Sequence, residues 1–277
     1  MVPEKPFDAL IDASGTRHVR AEGDVRIVSL VPSITELVCA LGLHGKLIGR
    51  TGFCVHPRAV VRSIPKVGGT KDVDIEKVRA LRPTHVIVNI DENRRDTAET
   101  LRDFVPHIIV THPCAPQDNV ALYRLLGAIF DRQEGADLLA KSFGRAFDAC
   151  RHAAQSFTSE TVLYLIWRDP WMTVSEDTYI GRTLALVNWR TLPQPSTVRY
   201  PEVALDAATL APVDRILLSS EPYRFTDRHV AELGQLPALY GKAIALIDGE
   251  MTSWYGSRAI DGLQYLTRFR RASGFTP

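Results

Sequence analysis

Cysteine is scarce in this chain: Cys39, Cys54, Cys114 and Cys150 are the only four in 277 residues, at irregular spacings and with no C-x-x-C pair. That spacing argues against a structural zinc site or a dithiol redox motif and predicts free, mostly buried thiols. Charge of one sign is equally lacking. With 33 basic against 32 acidic side chains the net charge is +1, and no Lys/Arg run supplies the footprint of a nucleic-acid binder or a membrane-surface anchor. Long apolar runs are missing too. The richest segment, Val25 to Leu43, is broken by Ser29, Pro32, Ser33 and Glu36, so nothing approaches the roughly 18 residues of a membrane span. Met1 to Leu10 lacks a basic start followed by an apolar core, so the chain as written is expected to carry no export address. G-x-S-x-G, P-loop and G-x-G-x-x-G motifs are absent as well, and Gly256-Ser257-Arg258 lacks the nucleophile-elbow spacing.

What is present is core material. Hydrophobic residues make up 45% of the chain and aromatics 8%, an ordinary globular composition, and the length favours two lobes of roughly 100 to 150 residues each. Arg26 to Val31 (RIVSLV) is a β-branched run that fits a buried parallel strand. Ser33-Ile34-Thr35-Glu36 after it reads as a capping box opening a helix that Gly42 stops. Leu47 to Arg50, His85 to Ile90 and Ile108 to Thr111 are further strands, with helices over Asp74 to Leu81 and Arg94 to Phe104. Alternation of this kind predicts an α/β lobe with a mostly parallel sheet.

Between Gln117 and Phe157 the strand signal vanishes and apolar residues fall at helical spacing. The second helix there, about Gln133 to Ser156, is long enough to join two lobes as a single rod that restricts hinge motion. Alternation then resumes with strands at Thr161 to Trp167, Arg215 to Ser219 and Ala243 to Ile247, and helices at Ile180 to Val187, Asp227 to Gly234 and Arg258 to Arg271. The expected organisation is an N-terminal α/β lobe over 1–116, linking helices over 117–157 and a C-terminal α/β lobe over 158–277. An echo connects the lobes: Ile75-Glu76 to Pro83 leads into one strand as Leu205-Asp206 to Pro212 leads into another, which suggests pseudo-repeats.

Four segments carry a family resemblance: Arg26 to Glu36 (RIVSLVPSITE), Pro65-Lys66-Val67-Gly68-Gly69, Ile75-Glu76 with Leu81-Arg82-Pro83, and Asp177-Thr178-Tyr179-Ile180. In their order and spacing the chain resembles the substrate-binding proteins of bacterial ABC importers whose lobes are joined by a backbone helix. That group includes vitamin B12, siderophore, haem and metal receptors, and the opening segment is most similar to the cobalamin-binding branch. The resemblance spans about Arg20 to Arg271. It implies two Rossmann-like lobes and a monomeric, non-enzymatic receptor that captures a small molecule, a corrinoid or related metal chelate, in the cleft between them and delivers it to a permease dimer. Nucleic acid is not an expected partner. The resemblance implies a periplasmic or extracytoplasmic location, whereas the N-terminus leaves a cytoplasmic one open. No resident cofactor is expected. An iron-siderophore, haem or metal receptor of the same group, a cytoplasmic carrier or sensor that has kept the fold, and an enzyme of the same architecture are the competing readings.

In open α/β sheets ligands meet the loops at the carboxyl ends of the strands. On that rule the first lobe offers Pro32, Ser33, Phe53, Asn89, Glu92 and His112, and the second offers Trp167, Arg168, Trp171, Ser220, Glu221, Trp254 and Arg258. Tryptophan gives a flat ligand a large rigid face at little entropic cost; for any one of these tryptophans core packing is the alternative. Glu92 and Glu221 suit polar or cationic groups and Arg168 and Arg258 suit carboxylates, while solvated loop charges would look the same. His56 and His112 could ligate a metal, but no H-x-H or H-E-x-x-H pattern supports them and no metal ligand is assigned. Trp189 is read as a core residue. The resemblance places Glu76 and Asp206 on the outer surface as acids that dock into basic pockets of the permease; ordinary first-turn acids beside a helix dipole are the alternative.

Overall fold

Strands β1 (Ile27–Ser29), β2 (Leu47–Arg50), β3 (His85–Asn89) and β4 (His107–Thr111) form one sheet in the order β2-β1-β3-β4, every pair parallel, in a computed structural model that describes residues 9–194 and 196–273. The first ten residues read for an export signal lie almost entirely outside that range. A second all-parallel sheet takes β5 (Glu160–Leu165), β6 (Trp189–Thr191), β7 (Arg215–Ser219) and β8 (Ala243–Ile247) in the order β6-β5-β7-β8. Both orders follow the same rule, second strand, first, third, fourth. The chain is thus an α/β protein with two Rossmann-like parallel sheets.

Parallel strands covered on both faces need apolar residues at nearly every position, and β3 and β7 are buried along their whole length. In the first sheet Val28, Val86, Val88, Ile108 and Val110 pack on Val78 of α3 (Ile75–Leu81) and Leu101 of α4 (Arg95–Arg102). In the second, Leu163, Leu165, Ile216 and Leu218 pack with Leu210 of the short helix Ala207–Leu210 and Leu233 of the helix Asp227–Leu233. Two further helices, α5 (Asp118–Ile129) and α6 (Gln133–Ala154), join the sheets. The 22 residues of α6 span ~33 Å at 1.5 Å per residue.

The contacts divide the chain into two compact units, each with one sheet. The first comprises the chain up to Pro113, Gln117–Phe143 and Tyr255–Arg258; the second comprises Cys114–Pro116, Gly144–Trp254 and everything from Ala259. Both linking helices therefore have a home: α5 and the start of α6 pack with the first unit, and the rest of α6 with the second. Among the described residues no helix is long and apolar enough to cross a membrane. All four cysteines are free, with Cys54 and Cys150 buried.

Local expectations fail where a neighbour takes over. The capping box at Ser33 does not form: the helix α1 (Pro32–Ala40) begins one residue earlier, with Val31 as its cap and Pro32 in the first turn. Proline's fixed φ and missing N–H suit that position, which leaves Ser33 inside the helix and its hydroxyl without a capping role. The strand expected to reach Trp167 ends at Leu165, because Ile166 turns away to donate to the carbonyl of Met172. Edge strand β6 has only three residues and one exposed side chain, too short for a periodic signal.

Gly68, in the Lys66-Val67-Gly68-Gly69 turn, has φ +101°, and a Cβ there would collide with the Asp72 carbonyl and stand 2.9 Å from Asp74 N. This turn is what seats Asp74, whose side chain caps α3 by accepting from Lys77 N. Gly68→Ala is expected to destabilise the first unit by more than ~2 kcal/mol, through left-handed strain and a clash with backbone that cannot yield. Urea unfolding would read it, and a loss below ~0.5 kcal/mol would show that the turn adapts.

Candidate functional site

Each sheet reverses the direction in which strands are added next to its first strand. The switch points lie between β1 and β3 and between β5 and β7, and ligands of doubly wound sheets favour the crevice outside the carboxyl ends there. In the first unit this puts Pro32 and Ser33, at the start of α1, next to the loop that follows β3. Asn89 organises that loop and is itself buried. Its Oδ1 accepts from the amides of Asp91 and Glu92 at 2.8 and 3.2 Å, and its own amide donates to Asn93 Oδ1 at 2.8 Å. Asn93 Nδ2 donates in turn to the carbonyls of Leu30 and Thr70 at 3.1 and 2.9 Å. These two asparagines lock the backbone and leave Ile90, Asp91 and Glu92 at the rim.

Tyr255 closes the site from the other end of the sequence. Its hydroxyl donates to Glu92 Oε1 at 2.5 Å. Burial pushes the phenol far above its ordinary range, and the charges of Glu92 and Asp91 add to that, so it stays a donor. Three more contacts staple the segment Tyr255–Arg258 to the first unit: Gly256 N donates to Asn119 Oδ1 at 2.6 Å, Tyr123 donates to the Gly256 carbonyl at 2.8 Å, and Arg258 forks onto Glu36 with two bonds of 2.8 Å. Gly256 has φ +78° and lies so close to α1 that a Cβ would stand 3.2 Å from Leu37 Cβ, so only glycine suits it. Arg258, expected among the second-lobe loops, therefore belongs to the first unit and is committed to Glu36. His112 stands 3.4 Å from Asp91, while Phe53, after β2, is 63% exposed.

In the second unit Glu221 follows β7 and is enclosed by the helix Gly249–Ser253. Its Oε1 accepts from Ser253 Oγ at 2.7 Å and from the Trp254 indole at 2.8 Å. Burial pushes the Glu221 carboxyl up, and the charges of Glu250 and Asp248 push the same way against those two bonds. Ser220 Oγ accepts from Gly249 N at 2.9 Å. Gly249 itself has no room for a Cβ, which would stand 2.5 Å from Ser219 Oγ and 2.6 Å from Glu221 Cγ. Glu221, Ser220 and Trp254 thus fasten one loop to another, and Trp254 is only 8% exposed.

Trp167 behaves differently. It sits after β5, is 40% exposed, and meets Tyr223 edge-on at 5.7 Å. Behind it Trp171 stacks on Phe225 at 6.0 Å, with the Arg168 guanidinium over its ring at 5.5 Å. Arg168 also forks onto Glu232 at 2.6 and 2.9 Å, so its charge is already matched. Trp189 is fully buried.

Large apolar side chains left in solvent at the strand ends are thus Phe53 and Ile90 in the first unit and Trp167 in the second. Ile90, half exposed, is a residue that the sequence reading passed over; the signal was an apolar residue closing the His85 to Ile90 run directly before Asp91-Glu92-Asn93. Among the described residues no group of three or more His, Cys, Asp or Glu gathers to hold a metal ion.

Comparison with known proteins decides the family. Residues 27–239 match the periplasmic binding protein family. The chain belongs to that family. Its relatives include a vitamin B12-binding protein of Pectobacterium carotovorum, 23% identical over 71% of this chain and 72% of that one. Another is the ABC transporter substrate-binding lipoprotein YvrC of Bacillus subtilis, 26% identical over 66% and 60%. Solved structures share the fold: the periplasmic vitamin B12 binding protein BtuF of Vibrio cholerae (TM-score 0.76, 19% identity, 91% of this chain and 98% of that one) and the periplasmic heme-binding protein RhuT of Roseiflexus sp. RS-1 (TM-score 0.77, 20% identity, 91% and 99%). These relatives are named as binding and transport proteins, not as enzymes.

Glu76 and Asp206 occupy unlike positions in this periplasmic binding protein. Asp206 is the cap of its helix and accepts from Thr209 N at 2.8 Å, which, with a second backbone amide, holds its carboxyl below the ordinary range. Its counterpart in the first unit is Asp74, while Glu76 lies in the first turn of α3, largely exposed and 3.4 Å from Arg79. Counting from the cap, the residue matching Glu76 is Ala208. The sequence echo is real but two positions out of step at the acids, because cap and first-turn acids look alike in a linear pattern.

Proposed function

We propose that this chain is the substrate-binding component of an ABC importer and that it captures a corrinoid, with cobalamin as the leading ligand. The observation that carries the reading is the placement of Phe53, Ile90 and Trp167. Scattered apolar side chains are ordinary on a protein surface, and what sets these three apart is that they stand exposed beside the strand ends where open α/β sheets take ligands. Exposed flat faces suit a large, rigid, partly apolar macrocycle better than a bare ion. Sequence relatives named for vitamin B12 binding favour cobalamin over haem, while structural neighbours of both kinds share the fold equally.

The test is absorbance titration of the purified protein with cobalamin, hemin and a ferric siderophore, followed by calorimetry. Cobalamin is expected to bind. A hemin spectrum with no cobalamin response would move the chain to the haem branch, and no response to any of the three would remove the chelate reading. Trp167→Ala and Phe53→Ala should each weaken binding by ~1–3 kcal/mol if the rings are central contacts. Trp171→Ala and Trp254→Ala should act mainly through stability, because both rings are packed. Full affinity in both Trp167→Ala and Phe53→Ala, with folding intact, would locate the ligand elsewhere.

A further inference from the structure

The loops after β5 and β7 flank the switch point of the second sheet, and they meet through aromatic rings. Trp167 lies edge-on to Tyr223 at 5.7 Å, Tyr223 tilts onto Phe225 at 4.7 Å, and Phe225 stacks on Trp171. Tyr223 N also donates to the Ile166 carbonyl at 3.2 Å, which ties the second loop to the end of the first. Among the described residues Tyr223 is the one aromatic neighbour against which the exposed Trp167 ring is set.

His229, the third residue of the helix Asp227–Leu233, holds Tyr223 in turn. Tyr223 and Phe225 both meet its imidazole edge-on, at 5.6 and 5.3 Å. The two ring nitrogens serve different partners. Thr226 N donates to Nδ1 at 3.0 Å and the Thr226 hydroxyl lies 3.0 Å from the same atom, while the Tyr223 hydroxyl lies 3.2 Å from Nε2. A backbone N–H can only donate, so Nδ1 keeps its lone pair and the proton of the neutral ring sits on Nε2. Nε2 therefore donates to the phenol oxygen. A capping box ordinarily has Glu or Gln at this position, and either would satisfy the Thr226 amide; an imidazole, with a nitrogen on each of two edges of a rigid ring, caps the helix and grips the phenol at once.

The consequence is a directed donor. With its oxygen accepting from His229, the phenol turns its own proton elsewhere, and no acceptor for that proton stands among the described residues. Glu232, one turn further along the same helix, is already taken by Arg168. Tyr223 is half-buried, and a tyrosine hydroxyl in such surroundings usually has a partner.

We propose that Tyr223 is a ligand-binding residue, whose hydroxyl donates to an oxygen acceptor on the rim of a flat ligand lying against Trp167, and that His229 is its positioning residue. The ligand half of this inference rests on the chelate-capture reading above; the direction of the donor rests on the His229 geometry alone. A bare ring face accepts any flat molecule. A donor fixed beside that face selects those with an acceptor at the matching edge, because a ligand without one leaves the hydroxyl unpaired.

Tyr223→Phe removes the donor and keeps the ring, whereas His229→Gln keeps the cap and removes the grip on the phenol. Each is expected to weaken cobalamin binding, read by calorimetry, by roughly 2- to 10-fold, the worth of one hydrogen bond, with urea unfolding little changed. The double variant is expected to match the weaker single variant within about 2-fold, since both changes act on one bond. Wild-type affinity in Tyr223→Phe, or losses that multiply in the double variant, would overturn the proposal. The ligand-free protein gives a separate reading: NMR shifts of the His229 ring nitrogens at about pH 8, where imidazoles are neutral, are expected to show a bare Nδ1 and a protonated Nε2, and the reverse tautomer would remove the positioning role. Should His229→Gln fail to fold, Tyr223→Phe and the tautomer decide. If wild type binds no cobalamin, the corrinoid reading fails by itself and the same variants are titrated with hemin; binding of neither overturns the ligand role of Tyr223 along with the chelate reading.

Discussion

Glu160→Ala should destabilise the second unit by roughly 3–5 kcal/mol, the range expected when one partner is removed from a buried ion cluster. At the amino end of β5, Glu160 accepts from Arg270 at 2.9 Å, from Arg215 at 3.0 Å and from the Trp189 indole at 2.9 Å. Arg270 and Arg215 are nearly buried, and Arg270 also donates to the Thr158 carbonyl while Arg215 donates to that of Ser273. The cluster ties the C-terminal helix Arg258–Ser273 to β5 and β7. Without the carboxylate, two guanidinium groups and a fully buried indole N–H lose their acceptor together. Denaturant unfolding followed by tryptophan fluorescence, all four tryptophans lying in the second unit, would measure the loss, and a value under ~1 kcal/mol would mean that water replaces the carboxylate. Glu160→Gln should fall between, since an amide oxygen still accepts but carries no charge. The pH dependence has a definite sign. Burial raises the Glu160 carboxyl, yet the bonds from Arg215 and Trp189 and the two arginine charges hold it below its ordinary value. Its stabilisation is therefore complete above the ordinary carboxylate range and disappears as pH falls through the lowered value.

The second large effect concerns delivery, and it rests on the proposed importer role. If Glu76 and Asp206 meet basic pockets of a permease, charge reversal at Glu76 and neutralisation at Asp206 should cut uptake at least roughly 10-fold while ligand affinity stays unchanged. The choice of substitution follows from the geometry. Asp206 caps a helix, so lysine there would remove a structural bond as well as a charge, whereas Asp206→Asn keeps the cap. Glu76 makes only a long contact with Arg79 on an exposed face, so Glu76→Lys probes docking with little structural cost. Uptake in reconstituted vesicles beside calorimetry would separate the two quantities. Normal uptake by the double variant would remove the docking role, and a parallel loss of affinity would mean that the substitutions act on the fold.

How legible each feature was depends on how locally its cause acts. Strands β3 and β7 could be read directly, because a parallel strand buried on both faces must be apolar throughout. The α6 rod was visible because helical periodicity runs unbroken from Gln133 towards Ser156. Asp74 and Asp206 were harder to assign, since a cap and a first-turn acid differ by two positions and not in chemistry. The strand-end loops were legible, and the bonds made inside them were not. Asn89, Glu221 and Arg168 lie in those loops, and each bonds there to a neighbour that the linear pattern does not reveal: Asn93 and the Asp91 amide, Ser253 with Trp254, and Glu232.

By itself the sequence determined the layered α/β character, the repeated strand and helix units and the positions of the strand-end loops, because periodicity, β-branching and turn chemistry act within a few residues. Tertiary structure alone decided which of those loop residues stay in solvent. It joined Tyr255–Arg258 to the first unit through Glu92, Asn119 and Glu36, buried Trp254 against Glu221, and left Phe53, Ile90 and Trp167 exposed. Burial and charge pairing depend on atoms brought together from tens to hundreds of residues apart, 33 for Trp254 and Glu221 and 222 for Arg258 and Glu36, and no short window along the chain contains both partners.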